Sequence, residues 1–191
     1  MAMYPKEVEK ILLKVQKPGR YVGGETHSVV KNREDVDVRF AFCFPDIYEV
    51  GMSHLGIKIL YGAMNRVPYL WCERVFAPWV DMEQQMVDRH IPLYALESGD
   101  PVKDFDFIGF TLQYELSYTN ILNMLKLAGI PLRSEDRPKL FNIVVAGGPC
   151  ACNPEPLAEF IDIFFLGDGE EVDIEVMEIY RQCRKEGIGK R

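Results

Sequence analysis

Four short stretches of this sequence place polar side chains and glycines directly after an apolar run of strand character. Carboxylate, hydroxyl and amide groups at such positions can hold a polar ligand, and a glycine lets a flat or bulky group approach the backbone closely. The candidate binding residues are Asp46, Tyr48, Gly51, Thr111, Gln113, Gly147, Gly148, Gly167, Asp168 and Gly169. Because parallel strands end at the same edge of a sheet, the four stretches together predict a platform for a cofactor.

Each stretch also has a plain structural interpretation. Asp46 can cap the turn after its strand, and the Thr111 stretch can be a solvated connection from a strand to a helix. The turn formed by Gly167, Asp168 and Gly169 suits a helix N-terminus, but its acidity repels phosphate. We expect that turn to bind hydroxyl or amide groups, or to contact a partner domain. On local sequence these alternatives stay open.

The residue patterns of common catalytic sites do not occur in the sequence, which lacks GxSxG, GxxxxGK[ST] and a GxGxxG after a strand. His27, His54 and His90 are far apart, and no pair has the spacing of two ligands on one helix. Cys150 and Cys152 form a CxC, but a closed zinc site needs a second pair of ligands. We therefore predict no catalytic residue and no metal ligand in this chain.

The elements expected to position these loops alternate between strand and helix after an N-terminal amphipathic helix of about three turns. The predicted strands are 38–44, 71–76, 93–96, 106–112, 142–146 and 162–166. The predicted helices begin at the N-caps Ser53 and Asp81 and near Ser117, followed by 156–160 and 170–184. Five or so strands separated by helices predict an α/β fold with a doubly wound, mostly parallel sheet of flavodoxin-like or Rossmann-like type.

The length and net charge of the chain limit the number of domains and the classes of binding partner. A chain of 191 residues fits one domain, 37–184, with an N-terminal appendage at 1–36 and the start of a linker at 185–191. A net charge of −7 argues against nucleic-acid binding through the phosphate backbone. Neither a signal-peptide pattern nor an apolar run of about 18 residues occurs, so we expect a cytoplasmic protein without membrane contact.

The order of the loops resembles the cobalamin-binding pattern DxHxxG…SxL…GG. Asp46 stands at the position of its Asp, Gly51 at its glycine, and Gly147 with Gly148 at its double glycine. Thr111 falls near its Ser. The cobalt-ligating His is replaced by Tyr48, whose phenol has a pKa near 10 and is a poor substitute for imidazole.

Six longer segments resemble the N-terminal part of an uncharacterised family of radical SAM proteins with a B12-binding domain. They are RYVGGE, FPDIYEVGMSHLGIKILYG, ERVFAPWVDME, GFTLQYELSYTNILNML, AGGPCACNPEPLAEFID and GDGEE, from about residue 18 to 172. The resemblance implies a radical SAM barrel later in the same protein, with a [4Fe–4S] cluster on CxxxCxxC that cleaves S-adenosylmethionine. CxxxCxxC does not occur here, so we expect a first domain that is inactive by itself.

Three hypotheses follow from the residues and the resemblance. In the first, the domain holds a corrinoid over its strand ends for the radical SAM partner, with His54 as the nearest imidazole to the first loop. In the second, a degenerate domain binds no corrinoid and has a structural or docking role, as the replacement by Tyr48 would suggest. In the third, which the missing phosphate loop disfavours, the domain binds a flavin or a nucleotide.

Overall fold

A computed structural model describes residues 4–190 and contains one five-stranded sheet with strand order β2-β1-β3-β4-β5. All four pairs of neighbouring strands are parallel. The strands are β1 (Val38–Phe44), β2 (Leu70–Phe76), β3 (Phe107–Thr111), β4 (Ile143–Gly147) and β5 (Ile163–Phe164). The predicted doubly wound, parallel α/β fold is confirmed. In this order the topology reverses between β1 and β3, where such sheets hold ligands at the strand carboxyl ends.

Helices cover both faces of the sheet. They are α1 (Lys6–Glu9), α2 (Tyr48–Ser53), α3 (Leu55–Asn65), α4 (Val80–Arg89), α5 (Tyr118–Ala128) and α6 (Gly169–Glu186). Alternate residues of β1 supply the two faces: Phe40 and Phe42 pack with α3 and α6, whereas Ala41 and Cys43 pack with α4 and α5. No helix within residues 4–190 is both long and apolar enough to span a bilayer.

The N-terminal appendage bonds to side chains and loop carbonyls near β2. The Val29 amide donates to the Tyr61 hydroxyl (2.7 Å), and the Val29 carbonyl accepts from the Trp71 indole (3.0 Å). Lys31 donates from Nζ to the Val67 carbonyl (2.7 Å). These contacts join the appendage to α3, to β2 and to the connection between them.

Two predicted helices are shorter in the structure than the sequence indicates. The N-terminal helix ends at Glu9 and continues only as a 3-10 turn, Leu12–Lys14. Val8 and Ile11 are nevertheless fully buried, so packing onto the main core holds this segment without a regular helix. The helix predicted at 156–160 is the 3-10 turn Glu155–Leu157.

Three further predictions fail near the strand ends. Ser53 is not an N-cap, because it ends α2 and donates to the Val50 carbonyl (2.8 Å). Asp81 lies inside α4 and is not its N-cap. Its carboxylate instead accepts a hydrogen bond from the amide of Gln16 in a distant segment (2.6 Å). The predicted strand 93–96 is an irregular segment with one antiparallel bridge, because its Leu93 and Ala95 amides donate to carbonyls outside the sheet and only Leu96 donates to β2.

Candidate functional site

A cavity of about 220 Å³ lies between the sheet and helices α3 and α6, at the carboxyl ends of the strands. Its wall includes residues of β1, β3 and β4, the loops after β3, β4 and β5, and the first two turns of α3 and α6. The lining residues are Phe40, Phe42, His54, Gly56, Ile59, Leu60, Gly109, Phe110, Thr111, Gln113, Val145, Gly147, Gly148, Phe165, Gly167, Asp168, Gly169, Glu170 and Asp173. The cavity therefore lies where doubly wound sheets bind ligands.

Two glycines in the wall of this cavity allow close packing that a larger residue would prevent. A Cβ at Gly109 would overlap the Phe40 ring, so the missing side chain lets that ring lie flat against β3. Gly148 has a φ of +104°, and a Cβ there would lie 3.0 Å from the Leu112 carbonyl oxygen. Only glycine adopts that conformation readily, and the turn it forms ends the wall contributed by β4.

Seven of the ten sequence-predicted residues line this cavity: Thr111, Gln113, Gly147, Gly148, Gly167, Asp168 and Gly169. The structure thus brings three of the four loops together around one space. Within it the Gln113 amide donates to the Thr111 hydroxyl, so the two polar groups after β3 are already paired. A ligand that binds them must share or replace that hydrogen bond.

The other three predicted residues lie outside the cavity, in the loop after β1 and in α2. Asp46 accepts a hydrogen bond from the Tyr114 hydroxyl (2.7 Å) and one from the Ile47 amide (2.7 Å). Gly51 packs under the Phe76 ring, where a Cβ would overlap ring carbons. These contacts connect α2 and the loop after β3 to the sheet.

Tyr48 contacts the N-terminal appendage. Its hydroxyl donates to Glu25 (3.0 Å), and its ring meets Phe76 edge to face at a centroid distance of 5.4 Å. Burial, with a further contribution from Glu25, raises the pKa of Tyr48 to about 12. The phenol therefore stays protonated, and it is already in contact with Glu25 and Phe76.

His54 is the imidazole that lines the cavity. It separates α2 from α3 with an extended backbone (ψ 122°), and its ring packs on Phe44 at a centroid distance of 5.4 Å. Its Nδ1 atom is buried without a hydrogen-bond partner among residues 4–190. No group of three or more His, Cys, Asp or Glu residues in that part of the chain could hold a metal ion.

Asp173 is a lining residue that the sequence analysis did not identify. It belongs to the buried stripe of α6 with Met177 and Tyr180, four and seven residues further on, and is only 5% exposed. Burial, and then the negative charge of Glu170, raise the pKa of Asp173 to about 7. The available signal was a carboxylate in the apolar stripe of an otherwise amphipathic helix.

The sequence from residue 56 to residue 191 matches the family described as "Radical SAM proteins, N-terminal". The chain belongs to the radical SAM N-terminal family. It is also 31% identical over 149 residues to an uncharacterised protein of Methanocaldococcus jannaschii. That alignment covers 78% of this chain and 28% of the relative, so the chain spans much less than two thirds of the length of the relative that it matches.

In this radical SAM N-terminal domain, exposed leucines lie beside the cavity-lining residues. Leu55, Leu116 and Leu166 are 68%, 87% and 67% exposed, and they belong to the start of α3 and to the loops after β3 and β5. Single exposed leucines are common on protein surfaces. These three add exposed apolar surface near the carboxyl ends of the strands.

Proposed function

We propose that this chain is the cofactor-binding module of a radical SAM protein and that its cofactor is a corrinoid of the cobalamin type. The supporting observation is the glycine-lined cavity at the carboxyl ends of β3, β4 and β5. Three separate loops contribute to it, and each carries residues of the kind that admit or hydrogen-bond a flat ligand.

The size of the cavity limits how such a cofactor could bind. An apolar cavity of about 150 Å³ is known to accept benzene, so 220 Å³ suits a flat group of about two fused rings. A corrin ring is far larger. We infer that the corrin would lie across the strand ends, while a smaller flat part of the cofactor would occupy the cavity.

The residues that would hold the cofactor are those after β3, β4 and β5. Gly147 and Gly148 would allow its close approach, and Thr111 and Gln113 would offer hydrogen bonds at its edge. Tyr48 would take no part, because Glu25 and Phe76 already contact it. Bound cobalamin would supply a redox-active cobalt centre, and the protein would bind, orient and shield it.

The partner in this proposal is a radical SAM barrel elsewhere in the same protein. The barrel would hold the [4Fe–4S] cluster and S-adenosylmethionine, and the relative's greater length leaves room for such a domain. The exposed leucines beside the cavity offer apolar area for its contact. The substrate of the whole protein would then be set by the barrel together with the bound cofactor.

A second candidate function is a docking domain without a corrinoid. The observation that favours it is the segment after β1: Asp46 is bonded to Tyr114, and Tyr48, at the start of α2, is bonded to Glu25. A loop whose polar groups are satisfied internally has less need of a ligand. In this function the same sheet edge would contact the barrel directly.

Cobalamin retention separates the two functions. The purified chain is incubated with hydroxocobalamin and desalted, and its visible spectrum is recorded. We expect a retained corrin band from the wild type and roughly tenfold less from Gly147→Val, because the added side chain enters a cavity where a Cβ meets Phe165 at 3.6 Å. Gly62→Ala, in open space on α3, is the matched control and should retain the band.

The wild-type result decides the proposal. If the wild-type chain, shown to be folded by circular dichroism, retains no corrin band, cobalamin binding is refuted and the docking function is favoured. Equal retention by wild type and Gly147→Val would place the corrinoid away from the cavity and contradict the proposed site.

A further inference from the structure

We propose that the Asp173 carboxyl group binds the hydrogen-bonding edge of a flat, fused-ring nitrogen heterocycle that occupies the strand-end cavity. This inference rests on the proposed function in that it assigns a ligand class to the same cavity. It does not require that the heterocycle be part of a corrinoid.

The position of Asp173 is the first observation. It lies in the second turn of α6 on the side that faces the sheet, in line with Met177. Its Oδ2 atom is 3.2 Å from the place that a Cβ of residue 169 would take, so the carboxyl group lies beside Gly169 at the cavity wall. An ordinary side chain at 169 would crowd it.

The second observation is that Asp173 has no partner. No hydrogen bond or ion pair to its carboxyl group exists within residues 4–190, whereas the other three acidic residues buried to a similar degree there are bonded. Glu73 accepts from the Ser98 amide (3.0 Å), Glu97 from the Arg74 side chain (2.6 Å), and Asp106 from the Tyr180 hydroxyl (2.7 Å). A buried polar group without a partner is costly and rare, which favours a role in binding.

The rest of the cavity determines the shape of the ligand. Phe40 and Phe42 form apolar walls on the sheet side, and Leu60 closes the helix side. The glycines leave a space in which a ring can lie without meeting side chains. A group with apolar faces and one polar edge fits these walls, and an N–H on that edge would donate to Asp173.

Two ring systems of equal shape test this inference. 7-Azaindole carries an N–H donor beside a ring nitrogen, and benzofuran lacks the donor. Each is titrated into the wild type, Asp173→Asn and Asp173→Leu, with binding followed by ligand-observed NMR. Glu175→Gln, an exposed acid of the same helix, serves as the matched control. Thermal unfolding confirms that each variant is folded.

We expect the wild type and Glu175→Gln to bind 7-azaindole about tenfold more tightly than benzofuran, because only 7-azaindole can donate a charge-assisted hydrogen bond to Asp173. Asp173→Leu should lose that preference while still binding benzofuran, and Asp173→Asn should retain part of it. No preference in the wild type, or an unchanged preference in Asp173→Leu, would overturn the inference.

Hydroxocobalamin retention and the 7-azaindole preference together separate the heterocycle site from cobalamin binding. If hydroxocobalamin is not retained but the 7-azaindole preference depends on Asp173, cobalamin binding is refuted and the heterocycle site stands. If cobalamin is retained equally by the wild type and Asp173→Leu and no preference is found, the heterocycle site is refuted and the proposed function stands.

Discussion

At the scale of single residues, Asp173 shows how burial changes the chemistry of a carboxyl group. Its pKa is raised from the ordinary 3.8 to about 7, first by loss of solvation and then by Glu170. Asp168, Glu170 and His54 line the same cavity, so two of the nearest titratable groups are also acidic. Near neutral pH, Asp173 therefore exchanges between an acid that can donate a hydrogen bond and a carboxylate that only accepts.

This raised pKa predicts how stability depends on pH. The folded state holds the Asp173 proton more tightly than the unfolded state, so the free energy of unfolding should fall as the pH rises from about 4 to about 7. Asp173→Asn removes this loss. We expect the variant to be more stable than the wild type by about 2–4 kcal/mol at pH 8, with the difference shrinking towards pH 4.

Urea unfolding of both proteins at pH 5 and pH 8 checks this prediction. Glu73 also has its pKa raised to about 7 by burial, so the wild-type pH dependence contains both groups. The difference between wild type and Asp173→Asn isolates the contribution of Asp173. Equal pH dependence in the two proteins would show that Asp173 titrates normally.

At the scale of elements, close packing of β1 on β3 forms the floor of the cavity. Phe40 of β1 lies over Gly109 of β3, and it stacks on Phe107 with ring centroids 6.1 Å apart. The strands are in parallel register from Phe40 opposite Phe107 onward. A single missing Cβ thus fixes where an aromatic ring of the neighbouring strand can lie.

Two alanine substitutions test this packing. Gly109→Ala should lower the free energy of unfolding by about 1–3 kcal/mol, because the new Cβ forces the Phe40 ring to move. Gly62→Ala, in open space within α3, should raise it by about 0.5–1 kcal/mol. Both are measured by urea unfolding. Stability of Gly109→Ala equal to that of the wild type would mean that the ring relocates at little cost.

At the scale of the whole molecule, the N-terminal appendage and the sheet form one structure. Arg74 of β2 donates to the Ser28 hydroxyl (2.8 Å), and the Trp71 indole donates to the Val29 carbonyl (3.0 Å). The appendage also supplies Glu25, which accepts from Tyr48. It therefore holds side chains of both β2 and α2 in place.

Removal of residues 1–36 should consequently destabilise the remaining domain. We expect a loss of about 3 kcal/mol or more, because Arg74 and Trp71 lose hydrogen-bond partners and the core loses the buried apolar side chains of the appendage. Urea unfolding followed by tryptophan fluorescence measures the loss, and size-exclusion chromatography detects association through the newly exposed apolar surface. A truncated protein as stable and as monomeric as the full chain would contradict this role.

The sequence alone predicted the parts of the fold that depend on local pattern. The apolar run Val38–Phe44 became β1, and Ser117 and Gly129 do bound α5. The loops after β3, β4 and β5 also came together as expected, because parallel strands must end at one edge. An apolar run, or a glycine after a helix, is encoded within a few neighbouring positions, so such features can be predicted without the structure.

Only the tertiary structure decided the features that depend on distant residues. The Tyr48 hydroxyl is bonded because Glu25 lies beside it, and α3 begins after His54 rather than at Ser53. Asp173 lines the cavity because α6 packs on the sheet. Each of these results from contacts between segments far apart in the chain. Local sequence specifies which side chains are available, whereas packing determines which of them remain free to meet a ligand.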